Sequence, residues 1–560
     1  MQDVLLLNSK KRKRSSSLRS APPEKVQKKS KPSRGTVVVH RRRKKDEDLT
    51  SSGSENGDRD ADDLRADVID PNISGEEDLE ETAGEKRLRL AKIYLESVKN
   101  TLADGEFDAA ELDRDIISSR LQQDVLQHSG KVHIFLGSQI RGAATTRLVT
   151  RGHRLAVTGA AISEDGKRLY TCAKDGSVIQ WDIASGKQVI CIRKQIIENK
   201  GKGKRRADVE EPTGHTDELW ALALSSDGKY LATGGKDRRV GIWETEKIKW
   251  LRCFKGHKDS ISGLAFRKGS NQLYSASHDR SVKLFDLSVM GYVETLFGHQ
   301  DRISDIDALR GETALTSGCR DKSVRYWKVH EETQIVFRGG TKSVLREVLE
   351  GALDADGDEA LGETHKQRER RDFVEGSIDC VAMVDESTFL SGGDSGTISL
   401  WSTNKKKPIF KQHLAHGLTE HESETHGAAV HPRWITSLAA LPYSDIFASG
   451  SWDGHIRLWQ LDPKLKSFSA LATTIPVCGV VNSLQVVQVP RQSVMNASWM
   501  ATAHSGLRTN GHGRGKSAVD QAKSVLVVAA IGQEPRTGRW IKVGGEAKNC
   551  GVVVPLEIDA

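Results

Sequence analysis

Pairs of His and Asp residues recur along the chain at one fixed spacing, and both side chain types can transfer protons in catalysis. In each of five pairs the Asp follows the His by 22 residues, with a hydroxyl residue four positions before the Asp and an aromatic residue six positions after it. The five sets are His153, Thr171, Asp175 and Trp181; His215, Thr233, Asp237 and Trp243; His257, Ser275, Asp279 and Phe285; His299, Ser317, Asp321 and Trp327; and His431, Ser449, Asp453 and Trp459. Each set is either a chemical site or a structural latch.

The repetition itself favours the structural reading, because five equal pairs would imply five active sites. A polar side chain that is buried between strands must be hydrogen-bonded, and a fully paired set fixes the turns around it. We therefore interpret each set as a buried latch. Phe285 departs from the pattern because it cannot donate the hydrogen bond of an indole. The sequence contains no nucleophile elbow, Walker loop or HExxH motif, so we expect no enzymatic activity and no small-molecule substrate.

The residues between these anchors predict short β-strands. Stretches such as "KYLATGG" and "RVGIW" alternate with "SSDGK"-type turns, and the sets repeat with a period of 42 residues from His215 to His257 to His299. This period is typical of a blade of a β-propeller. Two degenerate repeats, one with Val374 and Ser395 at the His and Asp positions and one after residue 475, raise the count to seven. We predict an all-β, seven-bladed propeller over residues 131–560.

Two features of this ring remain open in the sequence. Either "TRLVTR" before the first repeat or "GVVVPLEI" near the C-terminus can supply the strand that closes it. Insertions at about 194–213, 339–372, 412–430 and 491–522 are long enough to be either functional or disordered. The histidines of "HLAHGLTEHESETH" match no known metal-site spacing, so we expect no metal and no other cofactor.

The region ahead of the ring divides into three zones. Residues 1–45 form a predicted disordered basic arm, with 16 Lys or Arg against one acid from Lys10 to Lys45. Such clusters are read by nuclear import receptors or attract nucleic acid, although a solubilising tail is the alternative. The predicted targeting residues are Lys10, Lys11, Arg12, Lys13, Arg14, Arg41, Arg42, Arg43, Lys44 and Lys45.

Residues 46–84 reverse the charge, and residues 85–130 change the pattern again. The first of these is a predicted disordered acidic linker that either shields the basic arm or acts as a spacer. The second predicts two amphipathic helices, with Leu121 and Val125 on the apolar face of the second helix. These helices dock either on the propeller or on a partner.

Cysteine usage and hydropathy indicate the compartment. Seven Cys without a CxxC pair suit a reducing environment, and no apolar run approaches the roughly 18 residues of a membrane span. The first residues do not resemble a secretory signal peptide. We therefore expect a protein that is neither exported nor bound to a membrane.

Basic residues flank the repeated Asp in several blades, and the net charge of the chain is +8. Just before the Asp stand Lys174, Lys236, His278 and Arg320, and just after it stand Arg238, Arg280 and Lys322. Since these positions lie in one kind of turn, they predict an arc of positive potential on one face of the ring, for which nucleic acid is the natural partner. The alternative is an ordinary solvated surface.

The repeats resemble the WD-repeat family, through the "GH" at 152, 214, 256 and 298 and the "WD" at 181. The stretches "GLAFRKGSNQLYSASHDRSVK", "YVETLFGHQD" and "GSIDCVAMVDE" are similar to the WD-repeat proteins of the U3 small nucleolar ribonucleoprotein. That resemblance extends over residues 84–560. It implies binding to the box B/C element of U3 RNA beside a kink-turn-binding protein, in the small-subunit processome of the nucleolus, where pre-ribosomal RNA is processed.

The resemblance also singles out the "GQEPRTGRW" loop as a contact with RNA or with the companion protein. The candidate residues are Gln533, Glu534, Arg536 and Arg539. A purely structural hairpin is the alternative for this loop. For the whole chain, the competing class is a nuclear WD-repeat scaffold or substrate adaptor that binds proteins without binding RNA.

Overall fold

In a computed structural model of the protein, the chain forms a ring of seven antiparallel β-sheets, which confirms the predicted seven-bladed propeller. The structure describes residues 118, 120–121, 123–143, 146–196, 213–339, 376–423, 427–501 and 523–558. The basic arm, the acidic linker and the first predicted helix lie outside these ranges. Each blade has four strand positions, from an innermost strand at the central channel to an outermost strand at the rim.

The strands follow one another around the ring in chain order. Ahead of the first blade are β1 (Ile140–Ala143) and β2 (Leu148–Thr150). Blade 1 contains β3 (Val157–Ile162), β4 (Arg168–Ala173), β5 (Val178–Asp182) and β6 (Gln188–Ile192); blade 2 contains β7 (Leu219–Leu224), β8 (Tyr230–Gly235), β9 (Val240–Glu244) and β10 (Lys249–Phe254); blade 3 contains β11 (Ile261–Phe266), β12 (Gln272–Ser277), β13 (Ser281–Asp286) and β14 (Gly291–Phe297).

The remaining blades follow the same plan. Blade 4 contains β15 (Ile303–Asp307), β16 (Thr313–Gly318), β17 (Ser323–Lys328) and β18 (Thr333–Arg338); blade 5 contains β19 (Ile378–Met383), β20 (Thr388–Gly393), β21 (Ile398–Ser402) and β22 (Lys405–Gln412); a separate hairpin consists of β23 (Leu418–Ser423) and β24 (Gly427–Pro432); blade 6 contains β25 (Ser437–Ala440), β26 (Ile446–Gly450), β27 (His455–Leu461) and β28 (Phe468–Pro476); blade 7 contains β29 (Val480–Pro490), β30 (Lys523–Gly532) and β31 (Cys550–Ile558). Short helices lie at Gly137–Gln139 (3-10), Arg491–Met495 (α1) and Ser498–Ala501 (α2).

Burial follows the position of a strand in its blade. The innermost strands β3 and β11 are buried at every residue, whereas the rim strand β6 contains no fully buried residue. Inner strands are covered by neighbouring blades on both faces, which explains their continuous apolar runs. The core therefore lies between successive blades, as in the cluster that joins Phe254 of blade 2 to Phe266 of blade 3.

Polar side chains of the innermost strands tie neighbouring blades together. Thr158 donates through Oγ1 to the carbonyl of Leu219 at 2.8 Å, and the carboxylate of Asp307 accepts a hydrogen bond from the backbone N–H of Met383 at 2.7 Å. Burial raises the pKa of Asp307 to about 6. These bonds satisfy backbone groups that face the central channel.

Both candidate closing segments belong to blade 7. Strand β31, which contains "GVVVPLEI", pairs with β30 on one side and with both β1 and β2 on the other. The segment "TRLVTR" therefore supplies the rim strand of the last blade, and the N-terminal side of the ring is hydrogen-bonded to its C-terminal side. The closed ring leaves no unpaired strand between its first and last blades.

The structure also specifies two segments that the sequence left open. The prediction of an insertion at 412–430 was misplaced, because residues to Gln412 still belong to β22 and the inserted element is the hairpin β23–β24. Residues 123–128 are helical, as predicted for the second amphipathic helix. However, Leu121 and Val125 are 47% and 65% exposed, so the described residues do not bury this apolar face.

Candidate nucleic-acid interface on the upper face

We call the upper face the side of the ring that carries the turns between the second and third strands of each blade. Antiparallel strands place the loop before each innermost strand on the same side, so the repeated His and Asp both lie there. In blade 2, Trp243 Nε1 donates to Thr233 Oγ1 at 2.7 Å, and Thr233 Oγ1 lies 2.7 Å from His215 Nε2. His215 Nδ1 lies 2.6 Å from a carboxylate oxygen of Asp237. The predicted latch is therefore present in this blade.

The latch has the hydroxyl–imidazole–carboxylate order of a hydrolase triad, but it lacks access to a substrate. Thr233 is fully buried and His215 is only 2% exposed. The hydroxyl also accepts the indole N–H, so its lone pairs are already used. The arrangement satisfies buried polar groups and cannot present a nucleophile.

The carboxylate of the latch also fixes its own turn. In blade 3, one oxygen of Asp279 accepts the backbone N–H of Ser281 at 2.9 Å, and the other accepts that of Lys258 at 2.8 Å. Burial opposes ionisation of Asp279, but hydrogen bonds from His257 and Ser281 outweigh it and hold its pKa well below the usual value. One residue thus connects the latch His, the turn and the following strand.

Two blades contain variants of the latch. In blade 1, His153 Nδ1 bonds Ser177 Oγ at 2.8 Å and lies 3.7 Å from Asp175, while its Nε2 bonds Thr171 at 2.8 Å. In blade 3, His257 bonds both Asp279 and Ser275, and the ring of Phe285 stacks on Phe254 at 4.4 Å. Stacking here takes the place of the indole hydrogen bond, as the aromatic without a donor requires.

The prediction of Ser317 as the latch hydroxyl of blade 4 was wrong. His299 Nε2 and Trp327 Nε1 both bond Thr316 Oγ1, each at 2.8 Å. Four residues separate β16 from β17, against three between β12 and β13, and this extra residue shifts the register of β16 by one. Since successive residues of a strand point to opposite faces, Thr316 replaces Ser317, whose buried hydroxyl has no partner in the structure.

The prediction of His431 as the latch histidine of blade 6 was also wrong. His416 bonds Asp453 at 2.8 Å through Nδ1 and Ser449 at 2.8 Å through Nε2, and Trp459 donates to the same hydroxyl. His431 is an exposed residue of β24, because the inserted hairpin separates the latch histidine from its blade. The spacing of 22 residues that selected His431 is therefore accidental.

Blade 5 has a reduced latch, as predicted. Trp401 Nε1 donates to Ser391 Oγ at 2.8 Å, and Ser395 occupies the Asp position. Val374 lies outside the described residues.

The residue after the latch Asp has a left-handed backbone in six blades. Blades 2, 3 and 4 place a basic residue there, with φ of 63° for Arg238, 70° for Arg280 and 53° for Lys322. The equivalent residues of blades 1, 5 and 6 are Gly176, Gly396 and Gly454, with φ of 74°, 66° and 85°. We call Arg238, Arg280 and Lys322 the turn cations. This conformation costs a residue with a Cβ roughly 1 kcal/mol more than it costs glycine.

Among the basic residues predicted to flank the Asp, those of blades 2 to 4 are accessible. Lys236, Arg238, Arg280 and Arg320 are exposed, and Lys322 is partly exposed. Together they form a continuous arc over three neighbouring blades.

Two flanking residues do not contribute surface charge. Lys174 is 4% exposed, and its Nζ donates to the carbonyl of Gly538 at 2.7 Å. His278 is partly buried against Trp220, and its Nδ1 bonds Ser260 at 3.1 Å. Burial, together with Arg302, lowers the pKa of His278 to about 4, so this imidazole is neutral at pH 7. The expectation that His278 and Lys174 add to the positive arc is corrected.

The "GQEPRTGRW" loop crosses the upper face as part of residues 533–549, which we call the blade 7 loop. Arg536 donates to the carbonyl of Ser304 in blade 4 at 2.8 Å, and Gln533 donates to the carbonyl of Ala547 within the loop at 2.9 Å. Glu534 lies 3.7 Å from the Nζ of Lys174 in blade 1. Three of the four candidate residues therefore serve internal contacts, which favours the structural alternative for them.

Arg539 differs from its neighbours in the loop. Its side chain is 66% exposed and lies 3.5 Å from Glu534 and 3.8 Å from Glu218. Exposed ion pairs of this kind contribute little to stability. Arg539 therefore remains a candidate for contact with a partner.

The structure adds two basic residues that the sequence reasoning missed. Lys258 is exposed directly after the latch His257, and Arg302 is exposed three residues after His299. The backbone N–H of Lys258 binds Asp279, which places its side chain beside Arg280 in the same blade. A search of the residues that follow each "GH" would have found both.

Within the described ranges, no group of three or more His, Cys, Asp or Glu residues is arranged to hold a metal ion. The helices described there are too short or too polar to span a membrane.

The latches and the seven sheets define a WD-repeat β-propeller protein. The WD domain, G-beta repeat family matches residues 145–182, 208–244, 248–286, 291–328 and 425–460. U3 small nucleolar RNA-interacting protein 2 of Mus musculus is 37% identical over 480 residues, which cover 85% of this chain and 83% of that protein. Ribosomal RNA-processing protein 9 of Saccharomyces cerevisiae is 31% identical over 546 residues, covering 85% and 90%.

A solved structure described as the structure of U3-55K has a TM-score of 0.56 and 34% identity, and the match covers 74% of this chain and all of that one. The chain belongs to the family of WD-repeat proteins that includes U3 small nucleolar RNA-interacting protein 2 and ribosomal RNA-processing protein 9.

Proposed function

We propose that the protein is a non-catalytic, RNA-binding scaffold subunit of the U3 small nucleolar ribonucleoprotein. It recognises the box B/C element of U3 RNA together with a kink-turn-binding protein, and it acts in pre-ribosomal RNA processing and small-subunit biogenesis. The names of its relatives support the particle and the process. The turn cations support direct binding of RNA by the propeller.

The observation that carries this proposal is the identity of the residues in left-handed positions. Three blades of the same ring fill this position with glycine, so the fold does not require a side chain there. Arg238, Arg280 and Lys322 each occupy it at a cost in stability. Three neighbouring charges that the fold disfavours indicate a polyanionic ligand, and RNA is the polyanion that matches the relatives.

The arc is also rigid and largely uncompensated. Each turn cation follows an Asp that the latch holds by several hydrogen bonds, so its backbone is fixed before the ligand arrives. Nearby acids have local roles, since Asp259 accepts the N–H of Ser260 and Asp301 accepts that of Arg320. The positive potential of the arc therefore remains available for phosphates.

The N-terminal zones complete the proposal. The basic arm contains three clusters that suit a nuclear import receptor, and the nucleolus is the compartment in which the proposed particle works. Other factors of the small-subunit processome are further partners. The arm and the acidic linker lie outside the described residues, so their part in the proposal rests on sequence alone.

The test removes the turn cations without disturbing their turns. In the full chain, the triple variant Arg238→Gly, Arg280→Gly and Lys322→Gly gives blades 2 to 4 the residue that blades 1, 5 and 6 already have. We expect its affinity for box B/C RNA with the kink-turn-binding protein to fall about 10- to 100-fold at physiological salt. The slope of log affinity against log salt should decrease by about two to three. Binding is measured by fluorescence anisotropy at several salt concentrations.

The matched control removes three cations from the opposite face. Lys167, Lys187 and Lys229 are exposed in turns on that side, and their triple Ala variant loses the same charge. We expect it to bind with nearly the affinity of the unaltered protein. Equal affinity of the glycine variant and the unaltered protein, with both folded, would reject the arc as the RNA surface and favour a scaffold that binds only proteins.

A further inference from the structure

A cavity of about 640 Å³ opens on the upper face between blades 4, 5 and 6 and the blade 7 loop. Its volume lies in the range of ligand-binding pockets. Cations from blade 4 line one side, namely Arg302, Arg320 and Lys322, and Trp434 and Trp540 line the side of blade 6 and the loop. The turn cation Lys322 thus belongs both to the arc and to this cavity.

The aromatic side is built from three tryptophans. The ring of Trp540 lies 4.3 Å from that of Trp434 and 5.6 Å from that of Trp452. Trp540 is 48% exposed, and no other tryptophan among the described residues is classed with the exposed large apolar side chains. An exposed indole supported from behind by two others is a rigid stacking platform, and nucleobases stack on such platforms.

Carboxylates from blade 5 provide acceptors between these two sides. Asp394 accepts the backbone N–H of Gly376 at 2.8 Å through one oxygen. A Cβ at Gly376 would approach the other oxygen to 2.3 Å, so the glycine leaves open the space in front of it. A carboxylate with such open space can accept the amino or imino N–H of a base.

The charge of the cavity decides which guest suits it. Four cations line it, since Arg536 joins Arg302, Arg320 and Lys322, against the two carboxylates of Asp379 and Asp394. A lysine or arginine side chain from a protein would meet this excess of like charge. A nucleotide presents a negative phosphate, a flat π surface and N–H donors, and all three have counterparts here.

We propose that this cavity accepts one unpaired nucleobase of the bound RNA, which stacks on Trp540 while its phosphate binds Arg302 and Arg320. The N–H donors of the base bond to Asp394. This proposal rests on the proposed function, and it assigns a base-reading role to a part of the upper face that the arc alone does not explain.

The test separates stacking from charge. In the full chain bound to box B/C RNA and the kink-turn-binding protein, Trp540→Ala should weaken RNA binding about 5- to 100-fold, the range for one stacked base. The salt slope should remain unchanged, because stacking releases no counterions. Trp540→Phe should restore most of the affinity, and its thermal unfolding serves as the folding control.

Abasic substitution of each unpaired nucleotide then identifies the guest. One abasic RNA should bind the unaltered protein as weakly as Trp540→Ala does and should lose nothing further with that variant. If Trp540→Ala keeps full RNA affinity while the turn-cation variant loses it, the base cavity is wrong and the proposed function stands. If the unaltered protein fails to bind the RNA, both are wrong. If Trp540→Ala instead abolishes capture of a processome protein without affecting RNA, the cavity serves a protein partner and this proposal is overturned.

Discussion

The turns of blades 2 to 4 differ from those of blades 1, 5 and 6 in one residue, although all six are built on the same backbone. Each turn has a left-handed residue after the Asp position, and it is basic in the first group and glycine in the second. Among the latch-bearing blades, the His–Asp contact is similar in both groups, at 2.6 Å in blade 2 and 2.8 Å in blade 6. The scaffold and the charge it carries are therefore separable.

The comparison teaches how a repeated fold reveals a functional surface. Where several repeats share one geometry, the residue that suits the geometry best is visible within the same molecule. Here glycine is that residue, and the basic residues of three adjacent blades are the deviation. A deviation that costs stability and adds like charges to one place points to a ligand.

Breaking the latch should have the largest effect, and it should be similar in both groups of blades. Asp237→Ala in blade 2 and Asp453→Ala in blade 6 each leave a buried imidazole without its acceptor and a turn without its Asp. We expect each to lower the free energy of unfolding by about 2–4 kcal/mol. Guanidinium unfolding followed by tryptophan fluorescence measures this. Costs that differ by more than about 2 kcal/mol between the two would show that the turn and the latch are coupled.

A second test concerns the longer turn of blade 4. Thr316→Ala removes the hydroxyl that both His299 and Trp327 use, and we expect a loss of about 2 kcal/mol. Ser317→Ala removes a buried hydroxyl without a partner and should change stability by less than about 0.5 kcal/mol or increase it. Both variants are compared by thermal unfolding. The reverse order of effects would restore Ser317 as the latch residue and refute the shifted register.

Exchanging the residues of the two groups should produce opposite and smaller changes. Gly454→Arg places a side chain at φ 85°, where its Cβ stays 3.4 Å from the nearest atom, and should cost about 1 kcal/mol. Arg280→Gly should be neutral or should gain up to about 1 kcal/mol. Chemical unfolding of the two single variants checks the signs. A marked loss of stability in Arg280→Gly would mean that the fold itself depends on this arginine.

The smallest expected effect distinguishes His278 from the true cations of the arc. Its folded pKa of about 4 lies below the ordinary value, so the unfolded chain takes up the proton first, and stability falls as the pH drops from about 6.5 toward 4. His278→Gln should lessen that fall by about 1 kcal/mol or less, because the site is partly open to solvent. Unfolding at a series of pH values measures it. A charged His278 at pH 7 would instead show as a reduced salt slope of RNA binding in this variant.

Much of the site was predictable where neighbours in sequence are neighbours in space. The turn cations, the Asp that orders each turn and the hydroxyl four residues before it belong to one hairpin, so their spacing carries the geometry. Prediction failed where an element of unknown length intervened. The inserted hairpin hid His416, and one extra residue in a turn exchanged Thr316 for Ser317.

The sequence by itself determined the seven blades, their latches in outline and the basic residues of blades 2 to 4, because period and turn chemistry are local properties. Only the tertiary structure decided that Lys174 is buried, that the blade 7 loop crosses the upper face, and that Trp434 and Trp540 meet beside the cations of blade 4. These contacts join residues up to several hundred positions apart. They depend on the closure of the ring, which brings distant blades to one central axis and which no local spacing encodes.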